Sequence, residues 1–320
     1  MSVPSGTGQT YSYTTIREDL DDVVYKISPT ETPVMSAIGR DTADNTYFEW
    51  SVVELAAASG ANKVVEGDDI ANDSATTAIR LANYVQLMDK VAQVSSTNEA
   101  VSSAGDVTKM VKQILYKTQE LKRDMETRLC SDSAAAAGNS STARETAGIG
   151  CFIRTNTSRG ATATEPTLSG TTAGYPNAAP GAGTARAFTE TQLKDVIQAC
   201  WTQGGNPDLI VTGAFNRRVF SGFTGNATKN VDVGTKKLIA TVDVYVSDFG
   251  DLRVVADRFA VATNALILDT EMIKIAWLQT MRNEALAKNG HSTRRMVSCE
   301  WGVKVGNQKA IGVVADLTTS

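Results

Sequence analysis

The chain has 320 residues and a mass of 34.0 kDa, about two average domains or one large composite fold. Hydrophobic residues make up 42% and charged residues 21%, so the chain can bury a large core. The formal net charge of −4 argues against a chain whose main task is to grip DNA phosphates. No run approaches roughly eighteen apolar residues and no apolar signal segment opens the chain, so we expect a soluble product of a cytoplasm.

The rare residues exclude several kinds of chemistry. The chain has a single histidine, His291, in a Gly-rich turn. This excludes two-histidine zinc sites, and a catalytic triad with a histidine base would have to use His291. The four cysteines are far apart and form no C-x-x-C pair, which argues against a metal site, and a cytoplasmic product gives a disulfide no support. The chain also lacks a phosphate-binding glycine loop and a nucleophile elbow. We therefore predict no enzyme activity, no catalytic residue, no cofactor and no metal.

The N-terminal part is predicted to be an extended arm over residues 1–15, followed by one short helix at 17–27. Two prolines within 28–33 stop that helix, because each restricts the preceding residue to an extended conformation. An apolar anchor follows at 34–38.

A long, acidic β-hairpin arm is predicted next. Residues 47–53 and 85–94 are rich in β-branched and aromatic side chains, and the segment 56–77 between them is small, polar and acidic. A loop of this length is unusual in a compact domain unless it is a functional extension. From Glu49 to Arg80 six acids stand against two bases, a net charge of −4 that equals the charge of the whole chain.

The strongest helix pattern covers about residues 105–130, with Asp106 as its N-cap. At 1.5 Å per residue this is a rod of roughly 35–40 Å. One apolar stripe repeats at three- and four-residue steps, which is typical of ordinary core packing, and consists of Val107, Met110, Val111, Ile114, Leu115, Leu121, Met125 and Leu129. Lys122–Glu126 and Asp124–Arg128 are predicted ion pairs on the exposed faces.

Residues 131–186 are dominated by Ala, Ser, Thr, Gly and Asn and are predicted to form long surface loops around one apolar patch at 149–153. A helix then begins with a capping box, Thr189 with Gln192, and a hydrophobic staple, Phe188 with Leu193. A strand, a helix, a hairpin and two further strands follow at 208–212, 215–223, 242–255, 265–269 and 273–277. Alternating residues at 297–305 and a turn into 311–314 predict a last strand pair that continues the sheet begun at 85–94.

This order of parts resembles the Hong Kong 97-type fold of tailed-phage major capsid proteins. The amino-acid sequence itself resembles the SU-ten-type family of major head proteins. The matching segments run in order along nearly the whole chain: REDL (17–20), ISPTETP (27–33), EGDD (66–69), ELKRDME (120–126), STAR (141–144), SRG (158–160), AFTE (187–190), FTGNAT (223–228), VDVYVSDFG (242–250) and GVVADLTTS (312–320). The resemblance therefore implies an α+β fold with an N-arm, an E-loop hairpin, a long spine helix, a peripheral domain and an α/β axial domain. The implied divisions are the N-arm at 1–45, the hairpin and first peripheral strands at 46–94, the peripheral domain with the spine helix at 95–187, the axial domain at 188–265 and the return strands at 266–320.

The resemblance also implies a function. Such a chain is the structural virion protein that assembles as hexamers and pentamers into the icosahedral head around double-stranded DNA, without sequence-specific binding and without a membrane. Assembly in the host bacterial cytoplasm, a portal at one vertex and possible decoration proteins belong to the same expectation. Only about 45 residues precede the hairpin, so a separate scaffolding protein is implied. Lys63 is the only lysine of the hairpin tip and no motif marks a partner for it, so we predict no covalent cross-link.

We hypothesise that each acidic hairpin lies across the spine helix and C-terminal strands of a neighbour. The predicted inter-subunit contact residues are Glu54, Glu66, Asp68, Asp69, Lys112, Lys122, Arg123, Arg128, Arg294, Arg295 and Lys304. Three alternatives stay open: the shell of a bacterial nanocompartment with the same fold, a cytoplasmic hydrolase using Asp208, Asp248 or Glu300, and a surface adhesin.

Overall fold

The computed structural model of the chain describes residues 28–67, 69, 74–101, 108–223 and 244–320. The helices in this part are α1 (Pro33–Ala37), α2 (Ser96–Ala100), α3 (Lys109–Leu129), α4 (Glu190–Thr202) and α5 (Ala214–Phe220). The strands are β1 (Gly39–Thr42), β2 (Tyr47–Val52), β3 (Ile79–Tyr84), β4 (Gln86–Ser95), β5 (Thr157–Ser158), β6 (Thr167–Leu168), β7 (Pro176–Ala178), β8 (Leu209–Thr212), β9 (Val244–Ser247), β10 (Gly250–Ala256), β11 (Ala265–Leu268), β12 (Ile273–Ala285), β13 (Ser292–Val305) and β14 (Gly312–Val314). The predicted arm at 1–15, the helix at 17–27 and the N-cap Asp106 lie outside the described residues.

A four-stranded sheet with the order β1-β12-β13-β4 joins the two ends of the chain. The strand β13 pairs antiparallel with both of its neighbours, so that Trp301 is opposite Gln86 on β4 and Trp277 on β12. The predicted inner face of β13, from Val297 to Val305, is buried, and Ser298 and Gly302 on its other face are buried as well. The predicted union of the 85–94 strand with the C-terminal segment is confirmed.

The long helix α3 packs against this sheet and forms the main core. Leu121, Met125 and Leu129 are buried there, and Met125 Sδ lies 3.9 Å from Cys299 Sγ on β13. The apolar patch at 149–153, expected among surface loops, is instead buried against the same core around a single 3-10 turn. A side chain at Gly148 would place its Cβ 2.1 Å from the Ser131 carbonyl oxygen, so glycine is what lets this loop enter the core.

A six-stranded sheet with the order β5-β14-β11-β8-β10-β9 carries the second core. The helix α4 covers it with Leu193, Val196, Ile197 and Cys200. Both hydrogen bonds of the predicted capping box are present, and the staple residues are buried in this core. The predicted hairpin near 242–255 is confirmed as β9 and β10.

The prediction for the end of the chain was wrong in one respect. The strand β14 does not pair with β13, because a 3-10 turn at Gln308–Ala310 redirects the chain, and β14 lies between β11 and β5 of the other sheet. The six-stranded sheet therefore includes strands from both sides of the 188–265 range. The division of the chain into N-arm, peripheral and axial domains stays a prediction.

Candidate inter-subunit surface

The predicted hairpin exists, with shorter strands than expected. Strand β2 pairs antiparallel with β3, from Tyr47 opposite Tyr84 to Val52 opposite Ile79. Its base is anchored to the C-terminal strands, since the buried Trp50 Nε1 donates to the Val305 carbonyl oxygen at 2.8 Å. The segment at 85–94 is not the second arm of the hairpin, because β4 pairs with β13.

The loop between β2 and β3 projects away from the core. Every described residue from 53 to 67, together with 69 and 74–78, is exposed. The loop carries large apolar side chains in the open, with Leu55 at 86% exposure and Val64 and Val65 also exposed. Exposed apolar side chains clustered on one segment are a mark of an interaction surface. In the sequence these apolar residues are recognisable because they stand in or beside a run of small and polar residues.

The acids of the hairpin divide into two groups. Glu49 pairs with Arg80 across the strands at 3.7 Å, and Glu54 accepts from Lys309 Nζ at 2.6 Å, so both are used within the subunit. Glu66 and Asp69 are exposed farther out, where they can meet a neighbour. Asp68 lies outside the described residues.

The apolar stripe of α3 is split, which corrects its interpretation as ordinary core packing. Ile114 packs against the main core, but Val111 is 62% and Leu115 is 54% exposed. Val111, Leu115 and Lys122 share one face of the helix because they follow each other at four- and seven-residue steps. This face of α3 is open to solvent in the subunit.

Four predicted basic contact residues lie near this face or at the adjacent end of the sheet. Lys122 is exposed, Lys112 is half-buried, and Arg294 and Arg295 are half-buried at the start of β13. The start of α3 lies near the segment after α2, since Lys109 Nζ donates to the Val101 carbonyl oxygen at 2.6 Å.

Three other predicted contact residues already have partners inside the subunit. Lys304 Nζ lies 2.6 Å from Asp41 Oδ2, and this hydrogen bond lowers the pKa of the Asp41 carboxyl. The Arg123 guanidinium lies 5.4 Å from the centre of the Phe259 ring. Arg128 Nε donates to the Thr146 carbonyl oxygen at 2.7 Å, Nη2 donates to the Ala134 carbonyl oxygen at 3.0 Å, and Nη1 lies 3.1 Å from Glu145.

These contacts predict that Arg128 stabilises the fold. Arg128→Ala is expected to lower the free energy of unfolding of the unassembled subunit by about 2–4 kcal/mol, since it removes two charge-assisted hydrogen bonds and an ion pair. Urea unfolding followed by tryptophan fluorescence measures this loss. Lys122→Ala on the same helix is the control, with an expected change within about 0.5 kcal/mol. Equal stabilities of the two variants would contradict the structural role of Arg128.

The helix ion pairs predicted from spacing were wrong. Asp124 pairs with Lys90 of β4 at 2.7 Å, not with Arg128, and this hydrogen bond raises the pKa of Lys90. Glu126 is fully buried and faces α1, so it does not pair with Lys122. The four-residue spacing permitted both pairs, but the neighbouring strand and loop offered better partners.

The acids named for a hydrolase do not come together. Asp208 accepts from the Thr270 amide and hydroxyl, at 2.8 and 2.7 Å, and Asp248 lies in the turn between β9 and β10. Glu300 lies on β13 in the other sheet. In the described part of the chain, no helix has the length and apolar character needed to cross a membrane.

A long helix across one sheet, a projecting hairpin and a second α/β layer are the parts of the Hong Kong 97-type fold, and solved structures agree. The chain matches the capsid protein of Cyanophage A-1(L) with a TM-score of 0.67 at 14% identity, over 98% of this chain and 99% of that chain. It matches the capsid of Cyanophage P-SCSP1u with a TM-score of 0.63 at 12% identity, over 99% and 97% of the two chains. At such identities the likeness shows the fold.

The sequence comparison identifies the family. The model of the SU10 major capsid protein family matches residues 4–318, so the chain belongs to this family. The major capsid protein of Escherichia phage Phieco32 is 25% identical to this chain, and the match covers 90% of each of the two chains. The chain is therefore a structural subunit that self-assembles into the shell of a phage virion, and it is not an enzyme.

Proposed function

We propose that the subunit forms hexamers and pentamers that close into an icosahedral head around double-stranded DNA. Each hairpin loop lies on the open face of α3 and the start of β13 in a neighbouring subunit. The observation that carries this arrangement is the projecting loop, whose Leu55 is 86% exposed while the strands at its base are anchored. A segment that is held at its base and carries exposed apolar side chains is suited to burial against a second copy.

Complementary charge supports the same arrangement. By its sequence the loop at 53–78 carries Glu54, Glu66, Asp68, Asp69 and Asp73 against Lys63, a net charge of −4. The side proposed to receive it includes Lys122 beside the exposed Val111 and Leu115 on α3, together with Arg294 and Arg295 at the start of β13. One exposed ion pair contributes only about 0–1 kcal/mol, but a closed shell repeats it at every subunit.

The enclosed DNA is proposed to be held without sequence-specific contacts. The net charge of −4 over the whole chain suits a container wall that does not bind phosphates tightly, because a strongly basic wall would hinder release of the genome. A separate scaffolding protein, a portal at one vertex and decoration proteins complete the proposed particle, which assembles in the host bacterial cytoplasm.

Negative-stain electron microscopy of the purified full chain, alone and with its candidate scaffolding protein, tests the proposal. We expect closed shells or capsomer rings with five- and six-fold symmetry. The contents of particles from infected cells separate a phage head, which contains DNA, from a nanocompartment, which contains a protein cargo. Uniform monomers in the presence of the scaffolding protein would contradict the assembly.

A further inference from the structure

Two carboxylates and a thiol from two distant parts of the chain converge inside the subunit. Glu126 and Cys130 are one turn apart on α3, and Asp257 follows the end of β10. One carboxylate oxygen from each acid and the Cys130 sulfur all lie within 4.8 Å of one another, and all three side chains are buried. Such a group is costly in an apolar core unless protons or a cation compensate its charge.

Backbone N–H groups hold the two carboxylates in place. The Glu126 oxygens accept from the amides of Val34 at 2.7 Å and Met35 at 2.9 Å, and Asp257 Oδ1 accepts from the Phe259 amide at 2.9 Å. Asp257 is 3% exposed, and its other oxygen, Oδ2, receives no N–H or O–H donor from the described residues. The Cys130 thiol, a weak donor, lies beside this carboxylate.

We propose that Glu126, Cys130 and Asp257 bind a zinc ion that ties α3 to the segment after β10. A thiolate and two carboxylates are ligands that zinc accepts, and the sulfur disfavours magnesium and calcium. Binding releases to water the Cys130 proton and any proton held by Glu126 or Asp257, and the new bonds join the thiolate and the carboxylates to the ion without any change of oxidation state. The backbone bonds to both carboxylates act as the outer hydrogen bonds that orient metal ligands.

In the absence of a cation, burial favours the protonated form of each group in the cluster. Burial raises the pKa of Glu126 to about 7 and raises the pKa values of Asp257 and the Cys130 thiol. All three groups therefore disfavour negative charge in the absence of a cation. The search for cysteine pairs missed this site because two of its ligands are carboxylates and only Glu126 and Cys130 are close in sequence.

Metal analysis of the purified full chain tests the proposal. Inductively coupled plasma mass spectrometry of the wild-type protein is expected to find about one zinc per chain after dialysis against metal-free buffer. Cys130→Ser and Asp257→Asn are each expected to reduce zinc to background. Cys299→Ser is the matched control, since this cysteine is equally buried in the same core beside Met125, and it is expected to keep its zinc. Wild-type zinc at background, or zinc unchanged in both ligand variants, would overturn the proposal.

A spectroscopic measurement keeps the proposal testable if a ligand variant does not fold. Wild-type protein produced in zinc-free medium with cobalt chloride acquires its metal during folding, so access to the buried site is not required later. A sulfur-to-cobalt charge-transfer band is expected in wild type and in Cys299→Ser. Folded wild-type protein without this band would show that the cluster holds only protons, and the zinc site would be rejected.

Discussion

Replacing Glu66, Asp68 and Asp69 together with lysine is expected to abolish closed shells while the subunit stays folded. The triple change turns the acidic end of the loop basic, so it would face Lys122, Arg294 and Arg295 of the neighbour with like charge. The described members of the set are exposed, so the core loses no contact. Sedimentation and negative-stain microscopy measure shell yield, and the circular dichroism spectrum reports on folding.

A charge swap identifies the partner surface. Adding Lys122→Glu, Arg294→Glu and Arg295→Glu to the triple variant restores opposite charge and is expected to recover part of the shell yield. The same three changes in an otherwise wild-type chain are expected to reduce assembly, and each effect weakens as salt increases. If the triple variant assembles with unchanged yield and salt sensitivity, the proposed hairpin contact is wrong.

Asn83→Leu is expected to destabilise the subunit by about 3–5 kcal/mol, because four polar groups lose the hydrogen bonds that they make with the buried Asn83 side chain. Asn83 is fully buried on β3, and its Nδ2 donates to Val303 O at 2.7 Å and Thr146 Oγ1 at 3.0 Å. Its Oδ1 accepts from the amides of Tyr84 at 2.9 Å and Ala147 at 3.0 Å. The side chain thereby joins the hairpin, the 146–147 loop and β13, and leucine can form none of these four bonds.

The loss is measured by urea unfolding of the unassembled subunit, together with the midpoint of thermal unfolding. Asn283→Leu provides the matched control, because Asn283 is an exposed residue of β12. Its expected change is within about 0.5 kcal/mol. A similar loss in both variants would show that the Asn83 hydrogen bonds contribute little net stability.

Together these predictions separate stability from assembly. The hydrogen bonds of Asn83 and Arg128 lie within one subunit, so their loss changes unfolding first. Glu66 and Asp69 are exposed and lie outside the core, so reversing the charge of the acidic segment changes association between subunits first. This separation suits a shell protein, whose subunit must be folded before its extensions meet their neighbours.

The structural relatives show how little residue identity the fold needs. At 14% identity the cyanophage A-1(L) capsid protein still matches over nearly the full length of both chains. Cores tolerate wide hydrophobic substitution when volume and patterning are retained, so the order and periodicity of the elements can persist after most residues have changed. That order is what made the family resemblance visible along the chain.

Local features of the fold followed from the sequence by itself. The capping box and staple at the start of α4 depend on residues within one turn, and β13 is recognisable from alternation along a single strand. The β9–β10 hairpin was equally local. Each of these patterns specifies its structure because every interacting group is close in sequence.

Only the tertiary structure decided which side chains meet. Spacing could not show that Glu126 faces Cys130 and Asp257, that Arg128 holds the 134–146 loop, or that β14 joins the other sheet. It also could not divide the α3 stripe into buried Leu121 and exposed Leu115, because periodicity defines a face but not what covers it. A charge or an apolar side chain has several acceptable partners, and the folded chain selects the one that lies within reach.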